Sequence, residues 1–430
     1  MLKIFLLLLA IFNQSIVYAS QIKNIQAQDF INRNPSLERK EIVESLVDQF
    51  KNKTVSQSQL DILWNNKEAR TAFMMARFQI VNQKLYADSF DVGLFDVGHY
   101  DTGYNYFLSV LHYLKKFLLE YKVSDADFII YMREEIPKNN KLAIKTLNIP
   151  SFLMFKDNIS PYEKDKFIFP DPFFLKSSWK DVLDKINLAN LKYKWEEKID
   201  KIFWRGATTG NFYEYNVTNF NKFPRLAAVI LSSLYPNIVD AEFSSFPGLQ
   251  FLQNKDGANL KTIINLLAKN KTTKVSEEEH LKYKYLLSMD GNSATGTRVP
   301  WIMFSNSILV KQETHKTEWF YFALKPYIHY IPMNESLTDI FSQFNWLKNN
   351  DIKLKKISET AHNFVENNLM PEHIDSHVAI ILNEYSKIQQ DKAILITLPE
   401  AGDMISINNA AVMLLERNKN ALKEWINKWF

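Results

Sequence analysis

The 430-residue chain contains no cysteine. Disulfides, thiol nucleophiles and cysteine-ligated metals are therefore excluded, and the core has to hold the fold unaided. An excess of one charge is missing too. The formal net charge is +4, from 52 basic and 48 acidic residues that intersperse along the chain. There is no basic stripe of the kind nucleic acid requires, and no nucleic-acid partner is expected. Beyond the first nineteen residues no apolar run is long enough for a stable membrane span. Neither GxGxxG nor GxxxxGK[ST] occurs, which disfavours the common dinucleotide and P-loop sites. Glycine is scarce, at ten residues, about a third of the usual ~7%.

What is present begins with a leader. Lys3, the apolar run IFLLLLAIF and the small-residue pattern VYA before Ser20 read as a signal peptide over residues 1–19. The chain is expected to be exported: secreted or periplasmic in a bacterium, or in the endoplasmic reticulum or Golgi lumen of a eukaryote. With 46% hydrophobic residues it can bury two cores. Residues 20–74 read as a helical arm, and ARTAFMMARFQIVNQKLYAD continues it into an element ending near Leu85. DVGLFDVGHYDTGYN (91–105) reads as a loop, followed by the amphipathic helix YFLSVLHYLKKFLLEYK.

Short apolar strands (DFIIYM, PSFLMF, KFIFPDPFFL, KIFWRG, IVDAEF, YLLSM, SILVK) then alternate with helices. That alternation predicts parallel α/β units in two blocks, 75–195 and 196–365. A helix over 366–390 and a tail over 391–430, amphipathic in its last part, complete the chain.

Seven of the ten glycines fall in three predicted loops: 93/98/103, 206/210 and 291/296. The second and third follow the strands KIFW and YLLSM, where ligands of open α/β sheets sit. Each adds hydroxyls (Thr208, Thr209; Ser293, Thr295, Thr297) and an arginine (Arg205; Arg298). Backbone N–H groups, hydroxyls and a guanidinium together suit a diphosphate. Two ordinary tight turns with surface arginines fit the same residues.

The same segments carry a family likeness. FWRGATTG, PRLAAVILSSLYPNIVDAEF, HLKYKYLLSMDGNSATGTRVPWIMFSNSILVKQ and EWFYFALKPYIHYIPM, in that order, resemble glycosyltransferase family 90. That family includes the Rumi-like protein O-glucosyltransferases and the capsule-associated and lipopolysaccharide-modifying transferases. ARFQIVNQKLY and DADFIIYMREEIP resemble its first-domain motifs, so the likeness runs from about 75 to 388. It implies a GT-B-like fold, with two Rossmann-like domains facing a cleft and a C-terminal helix returning to the first. It implies an acceptor held by 75–195 and a UDP-sugar, of glucose or xylose, held by 196–365 without metal or other cofactor. The implied reaction is an inverting transfer to a protein serine or a glycan.

The resemblance also assigns residues. The family places an aspartate before a proline where this chain has REEIP. Counting back from Pro137 gives Glu135 as the base, and counting forward from Arg133 gives Glu134. Glu135 fits the more widespread spacing. Arg298 and Gly291 match the DG loop, and Arg205, Gly206 and Thr208 match the first donor loop. Arg225 heads a helix, within reach of the same phosphates or as a plain surface charge. Asp240 and Glu242 correspond to the region near the nucleoside. His99 and Tyr100 are candidate acceptor contacts from their place in the first domain. His373 and His377 lie at i, i+4 beside Glu372 with no third ligand apparent, and read as solvated helix groups rather than a metal site. Glutamate in place of aspartate adds a methylene, which makes a weakly catalytic glycan- or nucleotide-binding descendant the alternative reading.

Overall fold

The computed structural model describes residues 23–33, 36–90, 97–134, 149–176, 178–210, 223–247, 262–265, 275–391 and 393–401, with backbone only for 97–101. The leader, residues 91–96 with Gly93, Glu135, and the tail after 401 lie outside them. So do the side chains of His99 and Tyr100.

The protein is a mixed α/β structure with two five-stranded sheets. The first holds β1 (Met75–Val81), β2 (Lys84–Ser89), β3 (Ala126–Tyr131), β4 (Ser151–Leu153) and β5 (Lys166–Ile168), in spatial order 2-1-3-4-5. The second holds β6 (Ile199–Ala207), β7 (Val239–Ser245), β8 (Tyr283–Ser288), β9 (Ile308–Gln312) and β10 (Ile331–Met333), in order 7-6-8-9-10. All neighbours in the second sheet are parallel.

The first sheet departs from the expected pattern. β1 runs antiparallel to both β2 and β3. The stretch read as a continuing helix is a β-hairpin, and it turns at Asn82 and Gln83, whose φ angles are 50° and 63°. Two successive left-handed residues are what a tight hairpin turn with the right twist demands. The inner strand β1 buries one residue after another, because helices cover both faces, while the edge strand β2 buries only Leu85 and Ala87.

The predicted loop 91–105 is also corrected. Helix α2 (Val97–Glu120) already includes Gly98 and Gly103. A Cβ on Gly103 would lie 2.5 Å from Met74 Sδ and 2.9 Å from the Met132 carbonyl. That glycine serves close helix–strand packing rather than a turn.

The arm ahead of β1 is helical as far as residue 72. Its main element, α1 (Leu37–Asp48), is capped by Ser36, whose hydroxyl accepts from the Arg39 N–H at 3.0 Å. α3 is Ser178–Lys192, and a 3₁₀ turn at Trp195–Glu197 separates it from β6. The second sheet is flanked by α4 (Pro224–Leu234), α5 (Arg298–Phe304) and α6 (Asp351–Asn368).

After α6 the chain returns to the first sheet. α7 (Pro371–Ile388) packs on β3 and α1. Tyr385, fully buried, sits among Phe128, Phe152 and Phe167. Residues 395–400 then line the outer edge: the Ala87 N–H donates to the Pro399 carbonyl at 3.1 Å, and Tyr86 bridges Glu400. Beneath this edge Arg77 clamps Asp127 with bonds of 2.8 and 2.7 Å, and Gln79 joins Asp127 to the Leu395 carbonyl.

His373 and His377 lie in this returning helix. His373 is half-buried, and His377 is not solvated but fully buried against Phe30 and Trp319. Burial lowers its pKa to about 3 and that of His373 to about 4. Among the described residues no group of three or more histidines and acids could hold a metal ion. No helix there is long and apolar enough to cross a membrane.

Candidate active site

In the second sheet β7 and β8 flank β6, so the chain runs off in opposite directions from a crevice at their carboxyl ends. The two glycine loops meet there. Gly210 has φ +99° and Gly296 φ +56°, values that favour glycine. A Cβ on Gly291 would lie 2.8 Å from Thr209 Oγ1 and 3.0 Å from Arg225 Nη2. The loops are thus pressed together, and the Gly210 N–H donates to Asn292 Oδ1 at 3.1 Å. Lys316 donates to the carbonyls of Gly291 and Asn292 at 2.8 and 2.9 Å.

The structure divides the expected donor residues into separate groups. Arg225 is a buried strut. Its guanidinium donates to the carbonyls of Asp290, Ala207 and Met289, each at 2.9 Å, and to the Thr209 hydroxyl. It is 9% exposed, which rules out a plain surface charge. Burial and the nearby Arg298 lower its pKa to about 10.

Arg205 and Asp240 lie together on the other side, joined at 2.7 Å, with Tyr283 donating to the second Asp240 oxygen at 2.7 Å. Glu242 stands 3.8 Å from Arg205 Nε. Arg298 reaches this group through Nη2, which donates to the Arg205 carbonyl at 2.8 Å, while its buried Nη1 has no partner among the described residues. Burial lowers the Arg298 pKa to about 10, so it stays cationic at neutral pH.

Gly206 and Thr208 face packing. A Cβ on Gly206 would sit 2.4 Å from the Trp204 ring, so the glycine makes room for an indole. The Thr208 hydroxyl, fully buried, donates to the Pro247 carbonyl at 3.2 Å.

Opposite these loops stands Glu134, just past β3 of the first sheet. Tyr106 of α2 donates to its Oε1 at 3.3 Å, and the Asn292 amide donates to its Oε2 at 3.1 Å. Asp171, past β5, is fully buried, and its Oδ2 lies 2.9 Å from where a Gly296 Cβ would be. Burial, with Glu134 nearby, raises its pKa to about 7. Tyr106, Asp171, Asn292 and Lys316 escaped the sequence reading; only Asn292, next to the DG pair, had a signal there.

A carboxylate on one sheet therefore faces a cationic crevice on the other. Such a site can accept a proton and stabilise a departing anion.

The sequence profile of glycosyl transferase family 90 matches residues 40–424. The chain belongs to that family. The match extends past both ends of the 75–388 range expected from the motifs, and takes in most of the helical arm and the tail. Protein O-glucosyltransferase 3 of Mus musculus is 30% identical over 207 residues, 48% of this chain and 36% of that protein. Protein O-glucosyltransferase 1 of Bos taurus is 24% identical over 282 residues, 64% of this chain and 66% of that protein. Uncharacterized protein 035R of Invertebrate iridescent virus 3 is 26% identical over 203 residues, 45% of this chain and 17% of that protein. The chain spans about a third of the length of the mouse relative. As a family 90 member it carries its glycine loops in the second sheet and Arg133 and Glu134 at the end of β3.

Proposed function

We propose that the chain is an exported glycosyltransferase with a GT-B-like division of labour, the second sheet taking a UDP-sugar and the first an acceptor hydroxyl. The observation that carries this reading is Glu134, held across the cleft from an arginine, Arg298, with an unpartnered guanidinium nitrogen. The carboxylate takes the proton of a serine or glycan hydroxyl as its oxygen bonds to the anomeric carbon. The bond from that carbon to the diphosphate oxygen breaks, and UDP leaves with the electron pair. Configuration inverts. Arg298 meets the charge that develops on the diphosphate. Family relatives named protein O-glucosyltransferases support glucose on a protein acceptor.

The test is UDP release from a panel of UDP-sugars with peptide and glycan acceptors, with and without EDTA, alongside Glu134→Ala and Glu135→Ala. Loss of a general base costs about 10²–10⁴ in kcat. The expected result is EDTA-resistant release that Glu134→Ala abolishes. Loss with Glu135→Ala alone would move the base to that residue. A melting rise with UDP but no release with any sugar would favour the binding-only alternative.

A further inference from the structure

We propose that Asn292 is a positioning residue, through which the donor loop of the second sheet sets the carboxylate of Glu134 on the first. The inference rests on the reading of Glu134 as the base.

The orientation of the amide is determined chemically. The backbone N–H of Gly210 can only donate, so it must meet the Asn292 oxygen, which lies 3.1 Å away. That leaves the Asn292 NH₂ pointing at Glu134 Oε2, 3.1 Å away. A carboxylate can only accept, so the two contacts fix one amide orientation between them.

Every other support of Asn292 belongs to the crevice. Its carbonyl accepts from Lys316, which holds Gly291 as well. Lys316 in turn lies in a two-residue antiparallel pairing, Lys316–Thr317 with Lys156–Asp157, that joins the second half of the chain to the first. His315 adds a contact to Asp157 at 3.3 Å. Gly210, at φ +99°, presents its N–H from a backbone that other residues rarely adopt. The loop that would hold the diphosphate and the amide that orients the base are therefore one rigid unit. The contact that aims the base from the donor side forms only when the two sheets are together. On the first sheet its described side-chain partner is Tyr106, at 3.3 Å.

The test has two arms. The first reads the contact without turnover: melting of wild type, Glu134→Ala, Asn292→Ala and the double variant, with and without saturating UDP. The expected result is non-additivity that grows when UDP is bound, and strictly additive shifts would overturn the proposal. The second reads chemistry. Asn292→Ala should lower kcat by on the order of tenfold to a hundredfold, the worth of a hydrogen bond to a charged group, with the KM for the UDP-sugar little changed. Asn292→Asp is nearly isosteric but sets a carboxylate against Glu134, and like charges disfavour ionisation. It should move the acid limb of the kcat/KM profile upward by about one unit or more. An unmoved limb would mean that residue 292 does not face the group that limits the rate at acid pH, and it overturns the proposal. No turnover by wild type, with coupling intact, would overturn the transferase reading and reduce Asn292 to a tether between the sheets.

Discussion

Arg225→Lys separates a structural arginine from a ligand-binding one. The guanidinium serves three carbonyls, those of Ala207, Met289 and Asp290, from three different nitrogen atoms, Nη1, Nη2 and Nε. An ammonium keeps the charge but is a single point and does not reproduce that fork. From one position it does not span all three carbonyls and leaves one or two without their donor. Each buried group left unsatisfied costs about 1–3 kcal/mol, so the expected loss is about 1–6 kcal/mol. The assay is urea unfolding of both proteins at neutral pH, followed by calorimetric titration with UDP. The reasoning predicts a clear fall in the unfolding midpoint, and a UDP affinity that falls no further than a displaced loop requires. A stability loss below about 0.5 kcal/mol, the range of ordinary surface substitutions, together with abolished UDP binding would refute it. Arg225 would then be a direct phosphate ligand.

Three further outcomes follow from buried groups. Burial raises the Asp171 pKa from 3.8 to about 7. The folded state therefore holds a proton that the unfolded chain releases, and stability falls as pH rises from 3.8 through 7. Asp171→Asn should flatten that slope in pH-dependent melting and gain most at pH 8; an unchanged slope contradicts the assignment. His377 has the opposite sign. Its pKa is lowered to about 3, so stability is full above pH 6.5 and declines as pH falls toward 3. His377→Leu should blunt acid unfolding in that window, and an acid midpoint that does not move counts against it. Gln79→Leu removes the amide that donates to Asp127 and meets both Leu395 and Thr397. It should cost about 1–3 kcal/mol and make the chain after residue 391 more susceptible to limited proteolysis; equal protease resistance would argue that the edge segment holds without it.

The second sheet was the legible half. KIFWRG, YLLSM and SILVK correspond to the inner strands β6, β8 and β9, because a parallel sheet covered on both faces writes such strands as apolar runs, and IVDAEF corresponds to the edge strand β7, whose buried residues alternate. The hairpin at 75–89 was not legible, since its turn uses Asn82 and Gln83 without glycine and its inner strand lacks alternation. Gly98 and Gly103 misled for the converse reason: they lie in a helix, and Gly103 sits where that helix presses on Met74 and Met132, a constraint that only packing reveals. In the site, Gly210 and Gly296 have the positive φ that their setting suggested. Arg225 read as a phosphate contact or a surface charge because its acceptors are backbone carbonyls, which leave no mark in a sequence. Asn292 and Tyr106 gain meaning only from Glu134, which lies 158 and 28 residues away from them.

The return of the chain to the first sheet has a consequence for synthesis. β5 ends at residue 168, yet Tyr385 and the segment 395–400 that close that sheet are made only after the whole second sheet. At about 5–20 residues per second, the interval is roughly 10–50 s. During it β2 remains an open edge able to pair with any extended chain nearby. The N-terminal half thus emerges first but cannot finish first. A chain stalled or cut before residue 371 would leave the first sheet without the helix that fills its core and the segment that covers its rim.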